Sequence, residues 1–420
     1  MRMKLCMTVL LVWLVSCGTT VTAVVPRIEV NPDGKGLKLL VFEGSDHHRN
    51  YVDRGKILGD LYFNYLVDNE TYSVKLSDLQ PEILENRAGK IQLFWQLPAG
   101  VRLYQTFTVS GEEIEWNIEF FNRSRHAVNI LDMCLAVPIG AIDESVQACQ
   151  NLNRHFSLNG NSSFLYWIPY TGQGDILLMS MKKGTAMEYA TWDGKYYLHA
   201  TNVVDRASDT WRIPSTSKTV APYQRYLTGF NFTVAKDHTD LRGKLYDKGN
   251  VLVKVAPGMV VTPEMEVYCA LQTQLPVEQL TVEHPGQIKV TNIGKTKDNK
   301  HIYKFRFSRL GENLITVNYG NGQMCYLDFF VTEPLETLIK KRARFIVDKQ
   351  QHRDSTKWYN GLYSLWDMKK AELLSPDYLG ELRDEFMVGG SDDPSNSKPI
   401  YISEKNVIYP DKDEIASLEY

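Results

Sequence analysis

Between Glu113 and Phe120 the sequence alternates without a break: Ile114, Trp116, Ile118 and Phe120 are apolar, and Glu113, Glu115, Asn117 and Glu119 are polar. A period of two puts one set on each face of a pleated strand, so this is a half-buried strand with one wet face. Ile91, Leu93, Trp95 and Leu97 repeat the pattern. Further strands are expected at Leu37–Phe42, Val101–Val109, Ala127–Val137, Asp175–Ser180, Lys195–Ala200, Tyr226–Val234 and Met265–Gln272. Gly, Pro, Asn and Asp separate them, which argues antiparallel sheets in a sandwich. The span 27–275 exceeds a single immunoglobulin-type sandwich, so a many-stranded supersandwich is expected there.

Residues 276–333 read as a separate small immunoglobulin-like β module. Its expected strands are Gln287–Thr291, His301–Phe307, Asn313–Asn318 and Met324–Val331, with a hairpin turn at Gly320-Asn321-Gly322. The period then changes. Leu335, Leu338, Ile339, Arg342, Phe345 and Ile346 fall at helical spacing behind Pro334, a residue suited to a helix start. A second helix is expected from Ser375-Pro376 to Met387, stopped by Gly389. A third starts near Asp411, with Glu414 completing a capping box. Residues 334–420 are thus a linker helix and the start of a helical domain. So few helices cannot enclose a core, and the expectation is a truncated domain.

The first residues read as processing signal. Arg2 and Lys4 precede the apolar run Leu5–Val15, which is too short to span a bilayer. Leu14-Val15-Ser16-Cys17 resembles a lipobox, in which a peptidase cuts before a cysteine whose thiol carries lipid. The alternative is a plain secretory signal cut after Ala23. With region 1–23 as signal and anchor, Cys17 is the expected lipidation site. Gly18 follows it rather than Asp, which by resemblance implies an outer-membrane lipoprotein facing the periplasm. Cys134, Cys149, Cys269 and Cys325 show no metal-binding spacing. A Cys134–Cys149 disulfide is open in an oxidising compartment, and buried free thiols are preferred. Asn122-Arg123-Ser124 and Asn231-Phe232-Thr233 match the glycosylation pattern by chance in such a protein.

The net charge of −3 and the lack of a long basic run speak against a nucleic-acid partner. Aromatic residues are abundant, with 23 Tyr, 16 Phe and 8 Trp. They suit β-sheets, and they also suit stacking on the apolar faces of sugars. In Val388-Gly389-Gly390-Ser391-Asp392-Asp393-Pro394, the paired carboxylates Asp392 and Asp393 can hold sugar hydroxyls or a divalent cation such as calcium. Asp367 and Glu404 are further acid/base candidates, since a carboxylate pair is the minimum for glycoside hydrolysis. Ser-Asp-Asp-Pro is equally a solvated turn. No cofactor motif is evident. Trp358 and Trp366 beside acidic residues suit a sugar subsite, or a helix packing its rings on a neighbour. Trp192 lies in an aromatic stretch from Trp167 to Trp211 that reads mainly as sandwich interior, with a sugar-binding face as the other reading.

Trp167-Ile168-Pro169-Tyr170-Thr171-Gly172-Gln173-Gly174-Asp175 and the Val388–Pro394 stretch are similar to the DUF5695 type of envelope lipoprotein found in Bacteroidetes. The order of lipobox, β-supersandwich, small module and helices fits that build. The resemblance implies a mainly β fold followed by the incomplete start of an (α/α) six-hairpin toroid. It also implies a carbohydrate partner and polysaccharide breakdown. The function expected is therefore the N-terminal portion of a glycoside hydrolase-like, polysaccharide-degrading lipoprotein. The alternative is a non-catalytic glycan-binding or scaffold lipoprotein held at the membrane by its lipid. Six-hairpin enzymes take catalytic residues from several hairpins, so an acid/base pair is not transferred to this chain.

Overall fold

The computed structural model describes residues 24–46, 49–207 and 213–345, with residues 349, 403, 406–407, 410 and 412–416. It is mainly β, in antiparallel sheets arranged as two compact units. The first runs to Leu252 and takes back Gln272–Gln279 and Val317–Tyr326; the second comprises Val253–Leu271, Leu280–Thr316 and the chain from Leu327.

The first unit is built on two large sheets. The eight-stranded sheet joins β5 (Glu82–Arg87), β6 (Lys90–Gln96), β7 (Val101–Ser110), β8 (Glu113–Asn122), β10 (Leu152–Ser157), β11 (Phe164–Pro169), β12 (Ile176–Met181) and β16 (Arg225–Ala235). Its order is β10-β11-β12-β16-β8-β7-β6-β5. The second sheet joins β3 (Leu61–Val67), β4 (Glu70–Lys75), β9 (Val128–Ala136), β13 (Tyr189–Ala190) and β14 (Lys195–Ala200) in the order β13-β14-β9-β3-β4, with β15 (Lys218–Val220) also on β9. β1 (Val25–Val30) and β2 (Leu37–Glu43) make a separate hairpin.

The alternation read at Glu113–Phe120 holds residue by residue. Ile114, Trp116, Ile118 and Phe120 are buried, and the residues between them are half-buried. Trp116 lies between Phe107 of β7 and Phe230 of β16, with ring centroids 5.4 and 5.2 Å away. Phe120 meets Phe63 of the other sheet edge-on at 5.1 Å, so the two apolar faces close on each other. Gln105 is a polar side chain in this core without exposure. It donates to the Gly59 carbonyl at 2.8 Å and accepts from the Trp116 indole at 2.9 Å, so both ends of its amide are paired.

β12 is buried on both faces, which simple alternation does not anticipate. The reason is a helix that the sequence reading passed over. α1 (Thr201–Ala207) is short, with seven residues, but α2 (His238–Asp247) covers the outside of β12 and β16. Leu241 and Leu245 pack on Ile176, Leu178 and Ala235. Asp237 caps α2 by accepting from the backbone N–H groups of Thr239 and Asp240, at 2.7 and 2.8 Å.

Two further four-stranded sheets lie mainly, but not wholly, in the second unit, since Val277–Gln279, Val317–Tyr319 and Gln323–Tyr326 of their strands belong to the first. One is ordered β17 (Leu252–Ala256), β19 (Val267–Gln272), β22 (Lys300–Phe307), β21 (Ile288–Lys295). The other is ordered β18 (Val260–Val261), β24 (Gln323–Val331), β23 (Gly311–Tyr319), β20 (Val277–Val282). β19 falls within Met265–Gln272, a strand read from sequence as part of the large sandwich, but it pairs here with β22 of the small module. Alternation marks a strand without naming its partner. Phe305, Phe307 and Phe329 form the centre of this unit, with Phe307 and Phe329 at 5.0 Å. The expected Gly320-Asn321-Gly322 turn is present, with all three residues at positive φ.

The helix expected after Pro334 is α3 (Leu335–Phe345), and a short α4 (Lys412–Ala416) stands where the third was expected. The helix expected at Ser375–Met387 lies outside the described residues. The four described cysteines are free. Cys134, Cys269 and Cys325 are buried as expected, but Cys149 is exposed, because it lies in a short turn at 148–150 rather than in a strand. Asn122 and Asn231 are buried within strands, consistent with chance sequons.

Candidate functional site: a polar groove rimmed by an exposed tryptophan

Loops at 44–60 and 137–151 form the main concavity of the first unit. It consists of two adjoining depressions of about 1,020 and 650 Å³ that share Asp53, Lys56, Gly140 and Ala141. The core fixes these loops. The Trp167 indole donates to the Ile139 carbonyl at 2.9 Å. At Gly140, φ is +94° and a Cβ would lie 3.1 Å from the Trp167 ring, so a larger residue would be strained there. Asp53 Oδ1 then accepts from the N–H groups of Gly140 and Ala141, both at 3.0 Å, and the Asp53 N–H donates to the Pro138 carbonyl at 2.9 Å. Burial raises the Asp53 pKa, and the two N–H donors oppose that rise.

The walls are rich in paired donors and acceptors. Arg49 donates to the Gln150 carbonyl. Asn151 Oδ1 accepts from the Asp143 N–H at 2.8 Å. Arg54 and Lys56 line the larger depression, and Lys75, Arg154 and Asp193 line the smaller. The Arg154 guanidinium is 5.7 Å from the centre of the Tyr196 ring. Tyr51 is 2% exposed, and its hydroxyl has no hydrogen-bond partner among the described residues. Burial first, then the Asp175 charge, raises its pKa well above the phenol range. A buried hydroxyl left unpaired is costly, so Tyr51 is a point of unmet hydrogen bonding behind this wall.

Trp192 occupies the turn between β13 and β14; the next two residues of that turn, Asp193 and Gly194, line the smaller depression, and the indole itself is fully exposed at 106%. Its neighbours in the aromatic stretch behave otherwise: Trp167 and Tyr196 are core residues. The Asp193 carboxylate, held below its ordinary pKa by Lys195 at 2.7 Å, fixes the turn. A free indole face beside a groove of Arg, Lys, Asp and Asn groups can stack a flat apolar face while the groove bonds hydroxyls.

Of the residues singled out in the sequence, Trp192 is the one found at this site. Asp367, Asp392, Asp393, Glu404, Trp358, Trp366 and Cys17 lie outside the described residues. Asp53, Tyr51, Arg49 and Arg154 were not singled out. The charged run from Arg49 to Lys56 was the available signal. Among the described residues no group of three His, Cys, Asp or Glu side chains could hold a metal ion, and no helix is long and apolar enough to cross a membrane.

The model of a family of unknown function, DUF5695, matches residues 176–420. No curated protein matches the sequence. A solved structure titled as a polysaccharide lyase superposes with a TM-score of 0.69 at 15% identity, covering 94% of this chain and 67% of that one, and so shares its fold. A galactose mutarotase-related enzyme from Lactobacillus acidophilus gives a TM-score of 0.32 at 8% identity, covering 51% of this chain and 96% of its own. An α-galactosidase from Geobacillus stearothermophilus gives 0.28 at 12%, covering 52% and 36%. Scores this low carry no argument.

Proposed function

On the premise that this chain belongs to the DUF5695 family, we propose that it is a carbohydrate-active protein whose first unit holds a glycan in the groove beneath Trp192. The observation that carries this reading is a fully exposed tryptophan on a turn whose next two residues line a polar concavity. An indole in water has no structural use there, whereas a pyranose offers its C–H face to the ring and its hydroxyls to the walls. The fold shared with a protein titled polysaccharide lyase supports a polysaccharide as the ligand. Cleavage of that polysaccharide, by hydrolysis as the sequence reading expects or by elimination, is the larger activity to which the groove would contribute. Lipid attachment at Cys17 would hold the protein at the membrane while it binds. Binding without cleavage is the second reading, and the groove serves it equally.

The test is affinity electrophoresis of the full chain through gels cast with a panel of neutral and acidic polysaccharides. Retardation by at least one polysaccharide, lost in Trp192→Ala, is expected. No retardation on any gel, or retardation untouched by the substitution, would sink the reading. Digests of retarding polysaccharides then separate the chemistries. Elimination leaves ultraviolet-absorbing unsaturated ends, hydrolysis leaves reducing ends without that absorbance, and pure binding leaves neither.

A further inference from the structure

A second cavity in the first unit is separate from the groove. It measures about 260 Å³, slightly under the roughly 300–1,000 Å³ usual for small-molecule sites. Met187, Leu198 and Met324 are among its apolar lining residues, and Glu188, His199 and Tyr226 among its polar ones. Glu188 and His199 are 6% and 8% exposed.

These polar groups form one chain whose hydrogen positions follow from the partners. Both Glu188 oxygens accept from Thr216, one from its N–H at 2.8 Å and one from its hydroxyl. The Thr216 hydroxyl proton is thereby committed. Its oxygen, 2.8 Å from His199 Nδ1, must accept, so Nδ1 carries the imidazole proton. Burial, with Lys218 nearby, lowers the His199 pKa to about 4, so the ring is neutral and Nε2 is unprotonated. Nε2 is 2.9 Å from the Tyr226 hydroxyl and accepts from it. The Tyr226 proton is committed in turn, which leaves its oxygen to act as an acceptor, with Thr228 as one of its donors.

We propose that this cavity is a binding site for one neutral, polyhydroxylated ring compound of monosaccharide size. The lining carries charges of both signs, Glu188 and Lys218, so it does not select for an anion or for a cation. Its mixture of apolar and polar groups matches a ring with C–H groups on a face and hydroxyls at its edge. A Tyr226 oxygen that can only accept favours a donor, which every sugar hydroxyl supplies. This inference does not rest on the groove reading.

The experiment is NMR titration of the full chain with D-glucose, D-galactose and glycerol, reading the His199 imidazole signals and saturation transfer to the ligand. A hexose is expected to shift the His199 signals at millimolar concentration, with glycerol at least tenfold weaker. Tyr226→Phe keeps the ring and removes the acceptor, and should weaken the hexose at least tenfold. Ala186→Phe, at a partly exposed lining position, fills the cavity without touching the chain and guards against misfolding of the first variant. No His199 shift with either hexose, or equal shifts in Ala186→Phe, overturns the proposal.

Discussion

Gln105 and His199 show how single buried polar residues are tolerated in this β core. Gln105 uses both ends of its amide, one on the Gly59 carbonyl and one on the Trp116 indole. Replacing it by leucine of similar size leaves a donor and an acceptor unpaired. Gln105→Leu should therefore destabilise by about 2–4 kcal/mol, read as a lower urea midpoint at constant slope. Trp192 is the opposite case: fully exposed, it contributes no packing, so Trp192→Ala should leave that midpoint unchanged.

His199 gives a pH dependence with a definite sign. Its folded pKa of about 4 lies below the ordinary 6.5, so the unfolded chain takes up a proton that the folded one refuses. Stability is intact above pH 6.5 and falls as the pH drops from 6.5 toward 4, by roughly 3 kcal/mol from this group. Glu188, with a raised folded pKa, acts the other way: its contribution is present below 4.5 and is lost as the pH rises through the folded value. Lys218 and Asp132 also act on the ring, in opposite directions. His199→Gln should flatten the urea midpoint between pH 6.5 and 4 relative to the parent. A parent profile already flat over that window would show that the ring stays accessible to protons.

At the scale of elements, strands were legible and their environments were not. β8 follows its sequence pattern position by position because one face meets the core and the other meets water. β12 breaks the pattern because α2 covers its outer face. The signals for α2 were present: Asp237 as a cap, Leu241 and Leu245 one turn apart, and Gly249 behind them. They were overlooked inside a region read as all β. Asp237→Ala removes an acceptor serving two N–H groups and should cost about 1 kcal/mol, measurable as faster amide exchange at Thr239 and Asp240.

At the scale of the whole molecule, the mainly β architecture was legible because alternation and turn residues are local. The groove was not, because its walls come from residues near 50, 140, 154 and 193, which only the sheet order brings together. Membrane attachment is a whole-molecule property that the sequence alone motivates here. Expressed in a lipoprotein-processing host, the protein is expected in the detergent phase of a Triton X-114 partition, and Cys17→Ser in the aqueous phase. A parent protein found in the aqueous phase would favour the plain secretory signal.

The sequence by itself determined the strand-rich fold class, the hairpin at Gly320-Asn321-Gly322 and the helix after Pro334, since each depends on residues adjacent in the chain. Tertiary structure alone decided which aromatic ring was free. Trp167, Tyr196 and Trp192 lie in one stretch and look alike in sequence, but the first two are enclosed by the core and the third stands on a turn that no other element covers. It also decided that Glu188, Thr216, His199 and Tyr226 meet, because hydrogen bonding depends on distance in space, and the sheet sets that distance.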